Sequence, residues 1–545
     1  IAYLDAPRLL RALSAGIGHV FQRREYLNRI NVFPVPDGDT GTNMAFTFKT
    51  ILEATSTSPD TRVDELMDHI AEAALDGARG NSGAIMAQYF HGFREAVSGR
   101  RLLSAKDFAK ASVAGAKSAW TAMSKPVQGT LPTVLDDFSQ ELASRASVGL
   151  SDIRTMMHHG LQRAQKSLAN TPNQLAVLKE AGVVDAGGQG FVDLLEGIWA
   201  FIEKGASDAV NDLLPDNEMS PSGDFDVGEH RFCTECVVEG DSLERAAVMA
   251  RMEALDASSL VVAGGRGRVR VHIHVNNPAD VFLACGELGT ITQQKADDMH
   301  KQHGLLNHPG QTAIVIDSGG DVPQSEVDRL SIHVVPVRLS FGDREFLDGV
   351  SLTPAQFCEM LEASDELPLT SQPPAKDFGR IYSLLTSHGY SVVSVGLSEK
   401  LSGTTGAARL AASRSDTGKI MVFDSRSAAA GQGLLAIAAA EAAAMGMSSD
   451  EILALLEELR PRTRVIAVAD DLSCAVKGGR VPAIVKKITD LLHINPVLMA
   501  SPEGKMSLGG FHRGRGARPG ALARTAVRKM KKNVVYRVMI THINN

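Results

Sequence analysis

Residues 31–44 read Asn31-Val-Phe-Pro-Val-Pro-Asp37-Gly38-Asp39-Thr40-Gly41-Thr42-Asn43-Met44. Two prolines stiffen the approach and Gly38 permits a sharp turn, so the Asp37 and Asp39 carboxylates can converge on one point. Paired carboxylates hold Mg2+, a hard cation that keeps coordination positions free for phosphate oxygens. Thr40, Gly41, Thr42 and Asn43 then offer hydroxyls, an amide and backbone N–H groups just before a predicted helix. A helix N-terminus favours an anion. The stretch therefore predicts a phosphate-handling turn that opens a helix.

The sequence around it has a helical texture as far as about Lys204. Apolar residues recur at helical spacing in Val63 to Ala78 and Leu102 to Met123. A second glycine-rich run, Gly77-Ala-Arg-Gly80-Asn81-Ser82-Gly83, again leads into a helix and can supply a second phosphate cradle. Either loop alone is also read as a turn and helix cap. The two together, with paired aspartates, favour phosphate handling over a turn and cap. There is no Walker A sequence. Gly115-Ala-Lys117-Ser118 lacks the glycine before lysine, sits inside a helical pattern and reads as helix surface.

Two further regions follow. Gly205 to Glu229 is read as a linker, because Asp216 to Asp226 is built of Pro, Ser, Gly and acidic residues. In the region of about 230–308, Val269 to Val275 predicts a strand and Asp280 to Leu288 a helix. His272 and His274 then face the same side. Cys233-Thr234-Glu235-Cys236 lies upstream, and thiolate and imidazole are good zinc ligands. Polar surface is the alternative, and Cys233 with Cys236 is open as a redox pair. From Gln311 onward, short apolar runs at Thr312 to Ile316, Ser391 to Val395, Ile420 to Phe423 and Val465 to Val468 alternate with helical patterns. That alternation predicts a mostly parallel sheet. Asp317-Ser318, Asp424-Ser425 and Asp470-Asp471 follow the runs directly, where open α/β sheets place ligands. Val534 to Ile540 also predicts a strand.

Length and composition set the frame. A chain of 545 residues is long enough for roughly three to four domains. A net charge of −7 and sparse aromatics argue against nucleic acid as a partner and suit a cytoplasmic enzyme. Five cysteines in so long a chain are expected as free thiols rather than a disulfide framework. No apolar run approaches the roughly 20 residues of a membrane helix. The alanine-rich stretch Ser427 to Met445 is interrupted by Gln432 and Glu441 and is expected as a buried helix. No secretory signal is visible, and the chain begins at Ile1.

Three sets of motifs resemble known families. Asn31 to Met44, Gly77 to Gly83 and Val183-Val184-Asp185-Ala186-Gly187-Gly188 resemble the nucleotide-binding domain of fatty acid kinases, a relative of the L subunit of dihydroxyacetone kinase. That resemblance implies an all-α helical barrel over residues 1–204 with ATP at one end. Asp37 and Asp39 would bind Mg2+. Thr40, Gly41, Thr42 and Asn43, with Asn81, Ser82 and Gly83, would hold phosphates. Gly129, Thr130, Asp185, Ala186 and Gly187 match positions near the nucleoside. The aspartate that the dihydroxyacetone relatives carry before the first motif has no match; Asn31 lies nearby. Phe232 to Glu235 and Val271 to Pro278 resemble the fatty acid kinase middle domain, a small α+β unit at 230–308. There the residues matching Cys233, His272 and His274 are functionally required, which implies a metal, here expected as Zn2+. Water, Cys236 or Glu235 is open as a fourth ligand, and the position between two functional domains suggests coupling rather than chemistry.

Residues 311–545 resemble DegV-type fatty-acid-binding proteins, through Asp317 to Asp321, Thr370-Ser371-Gln372-Pro373, Leu401-Ser402-Gly403-Thr404, Asp424-Ser425 and Lys477-Gly478-Gly479-Arg480. The resemblance implies an α/β domain in which Thr370 and Ser402, with Ser371 and Gly403, hold a lipid carboxylate. Arg480 would lie near the partner-docking surface. Beyond Val534 to Ile540 the DegV pattern breaks off, so the domain is read as incomplete there. The expected chain is multidomain and uses ATP to phosphorylate a fatty acid carboxylate, giving acyl phosphate. A homodimer and peripheral membrane contact for lipid exchange are expected with it. The alternatives are a small-ketone kinase of the dihydroxyacetone type, whose separate ketone-binding subunit has no match here, and a non-catalytic lipid-binding or regulatory protein.

Overall fold

The computed structural model describes residues 1–56, 61–204, 228–305, 310–364, 366–415, 419–468, 472–479, 481, 483–492, 494–513 and 518–542. The chain divides into two compact units, Ile1–His303 and Gly304–Asn545. Residues 205–227 of the expected linker, Asp470-Asp471 and Arg480 lie outside the described residues.

The first part of unit one is helical. Helix Ala6–Gln22 starts where the Asp5 side chain accepts the Arg8 N–H, and it buries Leu13, Gly16, Ile17 and Val20 along one face. Val63–Gly77 repeats the pattern with Val63, Leu66, Met67, Ile70 and Ala74. Ala105–Thr121 begins on a Ser104/Asp107 capping box. Gly115 and Lys117 lie within this helix, as expected, rather than in a phosphate loop; Lys117 is exposed, but Gly115 is buried and not surface. Thr40–Thr55, Val63–Gly77, Gly80–Val97, Ala105–Thr121, Leu131–Ser147 and Ile153–Ala169 pack each on the next. Ala186–Lys204 then closes the ring against Ala6–Gln22. That closure needs two glycines. A Cβ on Gly16 would stand 2.5 Å from the Leu194 carbonyl oxygen, and one on Gly197 would stand 2.8 Å from Gly16 Cα. Among the described residues the barrel departs from an all-α fold in a two-residue strand pair of Tyr3–Leu4 with Leu103–Ser104 and in a bridge from Met123 to Val261.

The rest of unit one is the small α+β domain. Its antiparallel sheet has the strand order Ala257–Gly265, Arg268–Val275, Phe232–Glu239, Thr290–Asp298. Helices Arg245–Glu253 and Pro278–Gly286 pack on it. The other face lies on the helical barrel. There Arg270 donates to the Leu75 carbonyl at 3.2 Å, and the Gly264 N–H donates to Gln88 Oε1 at 2.6 Å.

Unit two is α/β. Its parallel sheet runs in the order Ile420–Asp424, Ser391–Gly396, Thr312–Asp317, His333–Val335. Alternation along the strands sends side chains to two helical layers. Ala313, Val315 and Val392 meet Phe378, Tyr382 and Ala408. Ile314, Ile316, Val393 and Val395 meet Leu435, Ala436, Ala439 and Ile452. The alanine-rich stretch is the buried helix Ala430–Ala444. Two expectations fail. The run Val465 to Val468 is not in the parallel sheet: Ile466–Val468 pairs antiparallel with Ile494–Ala500. Val534 to Ile540 forms no strand, and Val535 is 99% exposed. A β-branched run is a strand only where a neighbour takes its N–H and C=O groups, and this run pairs with none of the described strands.

The helix closure gives a paired test. Gly16→Ala is expected to destabilise the protein by about 1–3 kcal/mol through overpacking. Gly18→Ala, in the same helix with nothing within 4 Å of its added Cβ, is expected to stabilise by about 0.4–1 kcal/mol. Thermal midpoints of the two variants beside wild type read the difference; equal shifts would refute the closure.

Candidate functional site

Four helix N-termini meet at one end of the barrel: Thr40–Thr55, Gly80–Val97, Leu131–Ser147 and Ala186–Lys204. Gly80, at φ +60°, leaves so little room that a Cβ would lie 2.5 Å from Asn43 Nδ2. A Cβ on Gly187 would lie 2.8 Å from Ser82 Oγ, 3.2 Å from Leu131 Cβ and 3.4 Å from Asp185 Oδ2. Elsewhere in the barrel Asp5, Ser104 and Asp152 cap their helices with side-chain oxygens. Here Asp39, Arg79 and Thr130 stand at the N-cap positions without a side-chain cap bond. Converging helix starts of this kind present backbone N–H groups and positive dipole ends to an anion. Gly41 and Gly83 serve packing: their Cβ positions face the Arg24 carbonyl and Thr47.

Asp37 and Asp39 stand side by side at this end. Burial, then the neighbouring Asp39 charge, pushes the Asp37 carboxyl well above the usual carboxylate range. Burial also raises Asp39, opposed chiefly by the Lys295 ammonium. A buried carboxylate pair in which the Asp39 charge opposes ionisation of Asp37 is a donor set that a hard divalent cation fits. Asn31 braces the pair: its Nδ2 donates to Asp37 Oδ1 at 2.5 Å and its Oδ1 accepts from Thr40 Oγ1 at 2.7 Å. Asn28 does the same for Thr42, accepting its N–H at 3.0 Å and donating to its hydroxyl at 2.9 Å. Asp185 is buried, accepts the Gly188 N–H at 2.7 Å, and is raised by desolvation to about 6. The Gly129 N–H, at φ +82°, donates to Thr133 Oγ1 at 3.0 Å. Beside it opens a cavity of about 480 Å3 lined by Trp120, Gln128, Thr133, Arg163, Lys166 and Asn170. Ala186 is buried at the start of its helix.

The middle sheet lays an ordered array against this end. Register places Cys233 opposite His274 on one side and opposite Asp297 on the other. Two residues on, Glu235 is opposite His272 and Lys295. All six therefore point to one face of the sheet. Ligand atoms of Cys233, His272 and His274 lie within 4.8 Å of one another, and all three are buried. Cys233 Sγ is 3.7 Å from His272 Nδ1, and His272 Nε2 is buried with no hydrogen-bond partner. Burial, then the Glu235 charge, pushes the Cys233 thiol up, and burial with His272 and His230 beside it holds His274 well below the usual imidazole range. Neutral imidazoles and a thiol ready to be ionised by a metal are a fitting zinc donor set. Cys236 is on the opposite face, where it meets Cys285. An odd separation along a strand puts Cys233 and Cys236 on opposite sides, so they form no redox pair and Cys236 is no fourth ligand.

The array touches both glycine-rich loops. Val35 packs on Cys233 and Met299, and His303 Nδ1 lies 3.0 Å from the Pro36 carbonyl. Glu235 Oε1 accepts the Gly80 N–H at 2.6 Å. The cluster therefore stands at the end of the barrel that carries Asp37, Asp39 and Gly80. Lys295 and Asp297 were missed. Their i, i+2 spacing was visible in the sequence, but Gln293-Gln294-Lys295-Ala296-Asp297-Asp298 has too few apolar residues to announce a strand.

In unit two, Thr370, Ser402 and Gly403 line one cavity of about 530 Å3 with Gln372, Lys400 and Lys505. Gly478 and Gly479 of the Lys-Gly-Gly-Arg run line it as well. Thr370 and Ser371 are exposed on strand Leu369–Ser371. Ser402 Oγ lies 2.8 Å from Thr404 Oγ1 and accepts the Thr404 N–H at 3.3 Å, so it also helps to start helix Thr404–Ser413. Asp317 and Asp424 brace strand ends: Asp317 Oδ2 accepts from Leu397 N and Gln432 Nε2 at 3.0 and 2.9 Å, and Asp424 Oδ1 accepts from Arg426 N at 2.9 Å.

Family comparison agrees with this division. Residues 34–200 match the DAK2 domain, 229–305 the FakA-like middle domain of fatty acid kinase, and 311–545 the DegV family of uncharacterised proteins. In domain makeup the chain carries a DAK2 domain, a FakA-like middle domain and a DegV-family domain in that order. An uncharacterised protein of Staphylococcus saprophyticus is 30% identical over 65% of this chain and 65% of its own length. Protein YloV of Bacillus subtilis is 31% identical over 56% of this chain and 57% of its own. The chain thus spans less than two thirds of these relatives. Among solved structures, a fatty-acid-binding DegV-family protein of Thermus thermophilus is 31% identical, covering 40% of this chain and 77% of its own at a TM-score of 0.37.

The metal reading has a direct check. The purified chain is expected to carry about one zinc per chain at the Cys233/His272/His274 cluster, and the His272→Ala/His274→Ala double variant is expected to lose it. Elemental analysis decides, and equal metal in both would leave the array a polar cluster.

Proposed function

We propose that this chain transfers the γ-phosphoryl group of Mg–ATP to the carboxylate of a fatty acid held in its DegV-family domain, giving acyl phosphate and ADP. The observation that carries the reading is the Asp37/Asp39 pair set at four converging helix N-termini. Thr40, Thr42, Asn43, Asn81 and Ser82 bind the phosphates there, the cavity beside Gly129 receives the nucleoside, and Thr130, Asp185, Ala186 and Gly187 complete the nucleotide site. Magnesium, held by Asp37 and Asp39, neutralises charge on the phosphate oxygens. The substrate carboxylate is itself the nucleophile, so no catalytic serine or cysteine is required.

The fatty acid as acceptor is supported by the FakA-like middle domain and by the Thr370/Ser402 cavity. Hydroxyl donors bind a carboxylate without discharging it, which leaves its oxygen free to attack. Binding of the apolar chain would contribute roughly 0.8 kcal/mol per buried CH2. Joining carrier and kinase on one chain raises their effective concentration. In the same reading the protein works in the cytoplasm as a homodimer and exchanges lipid at membrane surfaces. No helix among the described residues is long and apolar enough to cross a membrane.

ADP release is expected to depend on added long-chain fatty acid and to be unresponsive to dihydroxyacetone. Asp37→Asn or Asp39→Asn is expected to lower turnover about a hundredfold or more at saturating magnesium, because a misplaced γ-phosphate loses its line of attack. Stimulation by the ketone would favour the small-ketone kinase, and no turnover with either would favour a regulatory lipid binder.

A further inference from the structure

Phosphoryl transfer needs cations on the transferred group beyond magnesium. Residues 31–44 contain no lysine or arginine, and residues 77–83 contain only Arg79. Arg79 is engaged 3.7 Å from Glu235. These two loops therefore carry a single cation between them, and it is directed at Glu235.

The middle sheet brings one there. Lys295 lies opposite Glu235, whose other oxygen takes the Gly80 N–H of the second loop. Its neighbour on the same face, Asp297, lies opposite Cys233, on which Val35 of the first loop packs. Lys295 thus stands between the two loops. Its Nζ is 2.7 Å from Asp297 and 3.8 Å from Glu235, and the residue is 8% exposed. A lysine on a four-carbon stem can turn from a carboxylate to a nearby phosphate without moving the backbone.

We infer that Lys295 of the middle domain is a ligand of the γ-phosphate, held by Asp297 and Glu235 and turned to the nucleotide when it binds. This rests on the reading of the barrel end as an Mg–ATP site. In the step, an oxygen of the substrate carboxylate forms a bond to the γ-phosphorus. The bond from that phosphorus to the β–γ bridging oxygen breaks, and its electron pair leaves with ADP. Lys295 stays protonated throughout and binds the equatorial oxygens.

The test uses the full chain with magnesium and two nucleotides, ADP and the imido analogue of ATP. Lys295→Met is expected to weaken the imido analogue about tenfold or more while ADP affinity stays within about twofold, since only the former presents a γ-phosphate to a charged donor. Turnover is expected to fall about a hundredfold, with partial recovery in Lys295→Arg. A merely structural lysine would lower the thermal midpoint and weaken both nucleotides alike, and that result, or no change in either affinity, would overturn the inference. A wild-type chain that binds neither nucleotide would overturn the kinase reading itself, and this inference with it.

Discussion

The buried Glu235 carboxylate is the interaction on which the junction of barrel and middle sheet depends. One oxygen accepts the Gly80 N–H at 2.6 Å and lies 3.1 Å from His272 Nδ1. The other lies among Arg79, Arg270 and Lys295 at 3.7, 3.7 and 3.8 Å. Burial alone would raise this carboxyl; Lys295, the His272 hydrogen bond, Arg270 and Arg79 together hold it well below the usual carboxylate range. A buried charge is tolerated only with such partners, and removing one side of a buried pair costs about 3–5 kcal/mol. The carboxylate therefore locks the second glycine-rich loop, the histidine cluster and the Lys295 strand into one arrangement.

That lock explains why a small antiparallel sheet follows the helical barrel. The barrel supplies helix starts and two acidic ligands, which are suited to magnesium and phosphate. The sheet supplies softer ligands and cations on a rigid surface, since every residue of the array sits on a paired strand. Sites built on such elements hold geometry better than sites on loops. In unit two, by contrast, the Thr370 and Ser402 cavity opens at the edge of an α/β core whose strand ends are fixed by Asp317 and Asp424, and its mouth carries Lys400 and Lys505.

Much of this was legible in the sequence, for physical reasons that differ by element. The Pro-Asp-Gly-Asp turn and the amphipathic helices Val63–Gly77 and Ala105–Thr121 announce themselves through local chemistry. So do His272 and His274, because strand alternation alone places both on one side. The pairing of strand Phe232–Glu239 with Thr290–Asp298 was not legible, since register is set by tertiary contact, and with it Lys295 and Asp297 stayed hidden. Periodicity misled at Val534 to Ile540, where the residues suit a strand and no strand stands beside them. At Val465 to Val468 it found the strand but not its sheet. Cys233 and Cys236 show the opposite failure: the motif spacing suggested a pair that the pleat separates.

The central claim is that the acceptor is a carboxylate oxygen. It is tested most directly by giving the chain Mg–ATP and a fatty acid labelled with heavy oxygen in its carboxyl group, then cleaving the product with hydroxylamine. Attack at the carbonyl carbon leaves the bridging oxygen on phosphorus. The account predicts hydroxamate together with inorganic phosphate that carries a labelled oxygen from the fatty acid. Phosphate released without the label, and no hydroxamate, would mean that water is the acceptor and would contradict it.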